Sequence, residues 1–143
     1  MTDSDLTRPI FLVEDNPVDV DLTLRAFARS KLVNHVEVAR DGEEAMVWLE
    51  RWTPGRPLPL VVLLDLKLPR IDGLEVLRRY KAHERFRAVP VVVLTSSAED
   101  RDIELAYQYG ANSYIVKPVD FDKFLNVAQQ IELYWCLLNQ PPR

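Results

Sequence analysis

Five short apolar runs punctuate the chain, at Ile10–Val13, Val36–Ala39, Leu60–Leu64, Val89–Leu94 and Tyr114–Val116. They are rich in branched and aromatic residues, which fit a pleated, buried surface. Between them the spacing changes to that of helices. After the first run Pro17 is well placed at a helix start, and Val20, Leu24 and Phe27 step along a single face. Asp41 and Gly42 lead into EEAMVWLERW, whose acidic start and later arginine suit the helix dipole. Leu74, Leu77 and Tyr80 mark a third helix, Ile103, Ala106 and Tyr107 a fourth, and a fifth begins near Asp120. Strand then helix, five times over, predicts an α/β fold with a parallel sheet covered on both faces, because parallel neighbours need crossover connections. Runs three and four are apolar at almost every position, as strands buried on both faces should be. The segment TPGRPLP, Thr53 to Pro59, reads as a connector, and no internal repeat or low-complexity tract is present.

Composition narrows the function without choosing it. At 143 residues the chain suits one domain, and its 48% hydrophobic and 28% charged residues are ordinary for a soluble protein. No stretch approaches the roughly 18 unbroken apolar residues of a membrane span, so no membrane partner is expected. The opening MTDSDLTRP lacks the basic and apolar regions of a secretory signal, which predicts a cytoplasmic location. Cys136 is the sole cysteine, so neither an internal disulfide nor a cysteine-based metal site can be assembled. A formal net charge of −4 offers no general attraction for phosphate backbones, and direct binding of nucleic acid is not expected.

Chemistry enters at the strand ends. In open α/β sheets, ligands bind outside the carboxyl ends of the strands, beside a topological switch point. Here the first strand ends in Glu14-Asp15, the third in Asp65, the fourth in Thr95-Ser96 and the fifth in Lys117-Pro118. A strand order of 2-1-3-4-5 would bring all of them to one edge. A carboxylate closing a run as apolar as Leu60–Leu64 costs desolvation unless it has a partner. Three carboxylates together repel, and such a site raises a pKa or recruits a cation. Lys117 and a divalent ion would balance them, and oxygen ligands of this kind favour Mg2+. With Thr95 and Lys117 placed to engage phosphoryl oxygens, Asp65 is expected to be a phosphoryl acceptor.

Each of these residues also has a plainer reading. Asp15 and Asn16 suit a helix cap, and Ser96 or Ser97 suits the cap of the fourth helix. Lys117-Pro118 reads equally as a turn, and Tyr114 as strand packing. His35 and His83 have no partners at metal-ligand spacing and read as structural or surface residues.

Taken together, LVEDN, LLDLKLPRIDG, VVVLTSS and GANSYIVKP resemble, in order and spacing, the receiver domains of bacterial two-component response regulators. The resemblance covers nearly the whole chain. It implies a flavodoxin-like (βα)5 doubly wound sheet, with Asp65 phosphorylated by a sensor histidine kinase. It further implies that Glu14, Asp15, Asp65 and the backbone carbonyl of Lys67 hold Mg2+. Thr95 would be the switch hydroxyl, Tyr114 the switch aromatic and Lys117 the phosphate-pairing lysine, aimed inward by a cis bond to Pro118. The LVEDNP opening and extended C-terminus are more similar to single-domain regulators that serve phytochrome-type kinases. Residues 1–143 are then expected to form one receiver domain with a long last helix and no effector domain. Output would pass through protein contacts, or the domain would act as a phosphorelay or phosphate-sink intermediate, catalysing only its own phosphorylation and dephosphorylation. Lys67, Ser96 and Ser97 depart from better-known receivers beside the reacting group. The rival phosphohydrolases of the haloacid dehalogenase type carry Asp-x-Asp, and Lys67 stands where their second carboxylate would be. Dinucleotide folds want glycines after the first strand, where Glu14-Asp15-Asn16-Pro17 stands instead.

The last helix carries one more expectation. Phe124, Ala128, Ile131, Trp135 and Leu138 form a stripe that can pack on the sheet. Leu133, Tyr134, Cys136 and Leu137 fill the other directions. A surface helix apolar all round predicts a homodimer, with Leu133, Tyr134, Trp135 and Leu137 in its interface.

Overall fold

The alternation of runs and helical segments yields five strands and five helices in a computed structural model that describes residues 8–29, 34–52 and 54–140. In chain order the elements are β1 (Ile10–Val13), α1 (Pro17–Arg29), β2 (Val36–Ala39), α2 (Gly42–Arg51), β3 (Val61–Leu64), α3 (Gly73–Ala82), β4 (Val91–Thr95), α4 (Asp100–Gln108), β5 (Ser113–Val116) and α5 (Phe121–Ile131). A 3-10 turn at Phe86–Ala88 precedes β4. All strand pairs are parallel, in the order β2-β1-β3-β4-β5. Val13 lies beside Ala39 on one side and Leu64 on the other, so the strand ends of β1, β2 and β3 are level.

Because side chains alternate across a strand, the sheet feeds two cores. Phe11, Val13, Val62, Leu64, Val91 and Val93 face α2, α3 and α4, where Trp52, Tyr80 and Phe86 pack edge to face. Ile10, Leu12, Val61, Leu63, Val92 and Leu94 face α1 and α5. Only the outer strands β2 and β5 are half-buried, as sheet edges should be. The proline-rich connector is pinned from outside, since the Arg56 guanidinium lies 4.0 Å over the Trp52 ring and 2.9 Å from Glu37.

Local chemistry sets the helix starts. Asp41, Asp72 and Asp120 cap α2, α3 and α5 by accepting from the amides of Glu44, Leu74 and Lys123. Gly73 permits the start of α3 to approach the phosphoryl-acceptor candidate, because a Cβ there would stand 2.3 Å from the Asp65 carbonyl oxygen. Arg70, in the same loop, has φ of +71°, a left-handed conformation that costs an ordinary residue energy.

Four sequence expectations are corrected. Leu24 and Tyr107 are exposed at 37% and 51%, and Thr23 takes the buried place on α1 by donating its hydroxyl to the Asp19 carbonyl. Neither Ser96 nor Ser97 caps α4. That helix begins after Glu99, and the Ser97 hydroxyl donates to Asp102 instead. No cis peptide bond occurs among the described residues, so Lys117-Pro118 is trans, and Lys117 points inward without it. Past Ile131 the helix widens to a π-helix over Glu132–Leu138, closed by the Asn139 amide donating to the Tyr134 carbonyl. Its longer repeat rotates the stripe. Cys136, five residues after Ile131, is buried, and Leu138 is exposed. Among the described residues, no helix is long and apolar enough to cross a membrane.

Candidate functional site

The parallel ladder places the polar residues at its carboxyl edge. The Glu14 amide donates to Ala39 and the Asp65 amide to Val13, so the two acids leave adjacent strands at the same height. The Lys117 amide donates to the Thr95 carbonyl, which brings the lysine to the same edge from β5. Its ammonium donates to Glu14 Oε1, to Asp65 Oδ2 at 2.9 Å and to Asp19 Oδ2 at 2.8 Å. Asp65 is fixed on its other oxygen as well, because Oδ1 accepts from the Lys67 amide at 3.1 Å. Asn16 caps α1 by accepting from the amides of Val18 and Asp19. That leaves Asp15 exposed and free to turn to the pocket.

Glu14, Asp15 and Asp65 present ligand oxygens that all lie within 4.8 Å of one another. Burial pushes the Glu14 carboxyl up to about 8, against the bond from Lys117 and with the help of the Asp65 charge. At Asp65 burial acts in the same sense, but the charge of Lys117 and bonds from Glu14, Lys117 and Thr95 overcome it and hold this carboxyl below its ordinary range. Burial opposes the charge on Lys117, yet bonds to Asp19 and Glu14 raise its pKa. The pocket thus holds more acid than one ammonium can balance. A hard divalent cation fits this donor set of carboxylate oxygens.

Beside the pocket stands a second group of contacts. Thr95 is fully buried, and its hydroxyl oxygen accepts from the Ser97 amide at 3.4 Å. Ser97 donates through Oγ to Asp102 Oδ2 at 2.5 Å, and its carbonyl accepts from the Tyr114 hydroxyl at 2.8 Å. Lys67 Nζ lies 3.3 Å from the same Asp102 oxygen.

The structure therefore brings together Glu14, Asp15, Asp65, Thr95 and Lys117, and sets Tyr114 one contact away through Ser97. Sequence reasoning missed Asp19 and Asp102. Both are acids in the first turn of a helix, where the dipole alone explains them. His83 accepts from the Arg85 amide through Nδ1, and His35 pairs with Glu37, so neither joins the pocket. At the far end of the chain Leu133, Tyr134 and Leu137 are more than half exposed, and Trp135 packs half-buried against the α1/α5 core.

Comparison with known proteins agrees with this geometry. The response regulator receiver domain family matches residues 10–129. The probable methanogenesis regulatory protein FilR2 of Methanothrix harundinacea is 45% identical over 134 residues, which cover 93% of this chain and 86% of FilR2. The phosphorylated cyanobacterial phytochrome response regulator RcpA superposes with a TM-score of 0.89 at 36% identity, over 96% of this chain and 99% of RcpA. The bacteriophytochrome response regulator AtBRR is 50% identical, with a TM-score of 0.70 over 94% and 99% of the two chains. The Mn2+-bound form of response regulator Rcp1 superposes with a TM-score of 0.88 at 33% identity, over 95% and 99%.

Proposed function

This chain belongs to the response regulator receiver domains of two-component signalling, and from that premise we propose that Asp65 is the residue that takes the phosphoryl group from a sensor histidine kinase. One observation carries the assignment: Asp65 is buried, held on both oxygens, and kept ionised beside Lys117, at the carboxyl edge where β1 and β3 adjoin. In the transfer, an Asp65 oxygen bonds to phosphorus as the donor's phosphorus–nitrogen bond breaks. Lys117 is within reach of one phosphoryl oxygen and the Thr95 hydroxyl of another, each offering a hydrogen bond to developing negative charge. Glu14, Asp15, Asp65 and the Lys67 carbonyl would hold Mg2+, which when bound neutralises charge on the phosphoryl oxygens. Hydrolysis reverses the modification: water bonds to phosphorus, the Asp65–phosphorus bond breaks, and inorganic phosphate leaves. Lys67 stands where a phosphohydrolase of the haloacid dehalogenase type carries its second carboxylate, which supports a chemistry limited to the chain's own phosphorylation and dephosphorylation.

Likeness to RcpA and AtBRR supports a phytochrome-type kinase as the donor. The contacts from Thr95 through Ser97 to Tyr114 support a switch that passes the change to the α4–β5 face, in a protein that would act in the cytoplasm. The exposed Leu133, Tyr134 and Leu137, beside Trp135, support a homodimer built on the last helix. The chemical step is tested with acetyl phosphate. With Mg2+ the protein should gain one hydroxylamine-sensitive phosphoryl group, and it should gain none once the metal is chelated. Equal labelling with and without metal would remove the proposed role of the acidic pocket.

A further inference from the structure

Asp102 lies in the first turn of α4, outside the acidic pocket, and no role above uses it. It is nonetheless a buried carboxylate, only 8% exposed. Its Oδ2 accepts from Ser97 Oγ at 2.5 Å and lies 3.3 Å from Lys67 Nζ. A buried charge requires partners, and these two satisfy Asp102. The Ser97 bond, against burial and with the Lys67 charge, keeps its carboxyl ionised. Lys67 for its part sits two residues from Asp65 and touches it through the backbone amide, while its side chain, 61% exposed, reaches across to α4. One exposed ammonium therefore serves an anion on α4, from a residue whose backbone amide donates to the acceptor carboxylate.

We propose that Asp102 is a positioning residue: it is the counter-ion that holds the Lys67 ammonium on α4, away from a phosphoryl group on Asp65. The inference rests on the reading of Asp65 as acceptor and adds a determinant of how long the modification lasts. A phosphoryl group brings up to about two negative charges, so it competes with Asp102 for Lys67. While the lysine stays on Asp102, the open side of the pocket admits the water that attacks phosphorus. Once the lysine moves to the phosphoryl oxygens, its bulk stands in the path of that water. A pair whose lysine is this exposed shifts such a balance only a few-fold, which leaves it adjustable.

The test is the decay of the acyl phosphate after loading with acetyl phosphate and Mg2+ and removal of the donor. Wild type, Asp102→Asn, Lys67→Gln and the double variant are compared. Asp102→Asn keeps an oxygen for the Ser97 hydroxyl and loses only the charge, so decay should slow about threefold, the few-fold effect of a pair with an exposed lysine. In the Lys67→Gln background the same substitution should change nothing. An unaltered lifetime in Asp102→Asn overturns the proposal. So does an equal change in both backgrounds, which would mean that Asp102 merely shapes the loop. Should Asp102→Asn fail to fold, Asp102→Ser carries the same expectation. A wild-type protein that takes up no phosphoryl group would overturn the acceptor reading along with this one, whereas normal loading with an indifferent decay overturns this one alone.

Discussion

Asp15 and Asn16 stand side by side before Pro17, and either can cap the helix that follows. In the folded chain Asn16 does so, accepting from two amides, and Asp15 remains with its oxygen in reach of Glu14 and Asp65. Loss of Asp15 should therefore cost metal rather than stability. Outer-shell partners of metal ligands are worth about 10- to 100-fold in affinity, and a direct ligand should be worth at least roughly tenfold by the same scale. Calorimetric titration of Asp15→Ala with Mg2+ should show that loss, with an unchanged unfolding midpoint; wild-type affinity would show that Asp15 is not a ligand. Asp65, Glu14, Thr95 and Lys117 were legible because each is polar where an apolar run ends. Burial without a partner is too costly to be accidental there. Asp19 and Asp102 were not, since an acid in a first helical turn needs no further reason, and only the folded distances of 2.8 Å to Lys117 and 3.3 Å to Lys67 supply one.

At the scale of elements, the strands were legible nearly to the residue, because a buried run has no alternative place to go. β1 and β2 begin and end as their apolar letters do. The faces of α1, α4 and the last helix were read less well. An exact helical period assigns Leu138 to the core, but the change to π-helical hydrogen bonding after Ile131 turns Cys136 inward instead. No sequence signal marks that change. It leaves Leu133, Tyr134, Leu137 and Leu138 each at least half exposed, an apolar surface that a second copy of the chain can cover. At about 25 cal/mol per Å2, burying such side chains contributes several kcal/mol before the cost of association. Tyr134→Glu with Leu137→Glu alters only exposed positions, so folding should survive. Light scattering at micromolar concentration should give a dimer for the parent chain and a monomer for this variant. A monomeric parent, with and without the phosphoryl group, would contradict the proposed interface.

At the scale of the whole molecule, the strand order does what no single residue can. Placing β1 beside β3, with β4 and β5 following, collects Glu14, Asp65, Thr95 and Lys117 at one edge from segments spread over most of the chain. Five parallel strands with polar ends were legible in the sequence, but their order was not: it was the order that would bring those ends to one edge at a switch point, and the receiver resemblance implied it. The cis bond expected at Pro118 proved unnecessary, because the Lys117 amide and ammonium are both fixed in the trans chain. The proposed chemistry is transfer of a phosphoryl group from a kinase histidine to Asp65. Its most direct measurement is a time course in which autophosphorylated histidine kinases, a phytochrome-type kinase among them, are mixed with Mg2+ and either this chain or Asp65→Asn. The phytochrome-type kinase should lose its label fastest, with matching gain on the wild-type chain and none on Asp65→Asn. Labelling of Asp65→Asn at the wild-type rate, or no transfer to the wild type from any kinase, would contradict it.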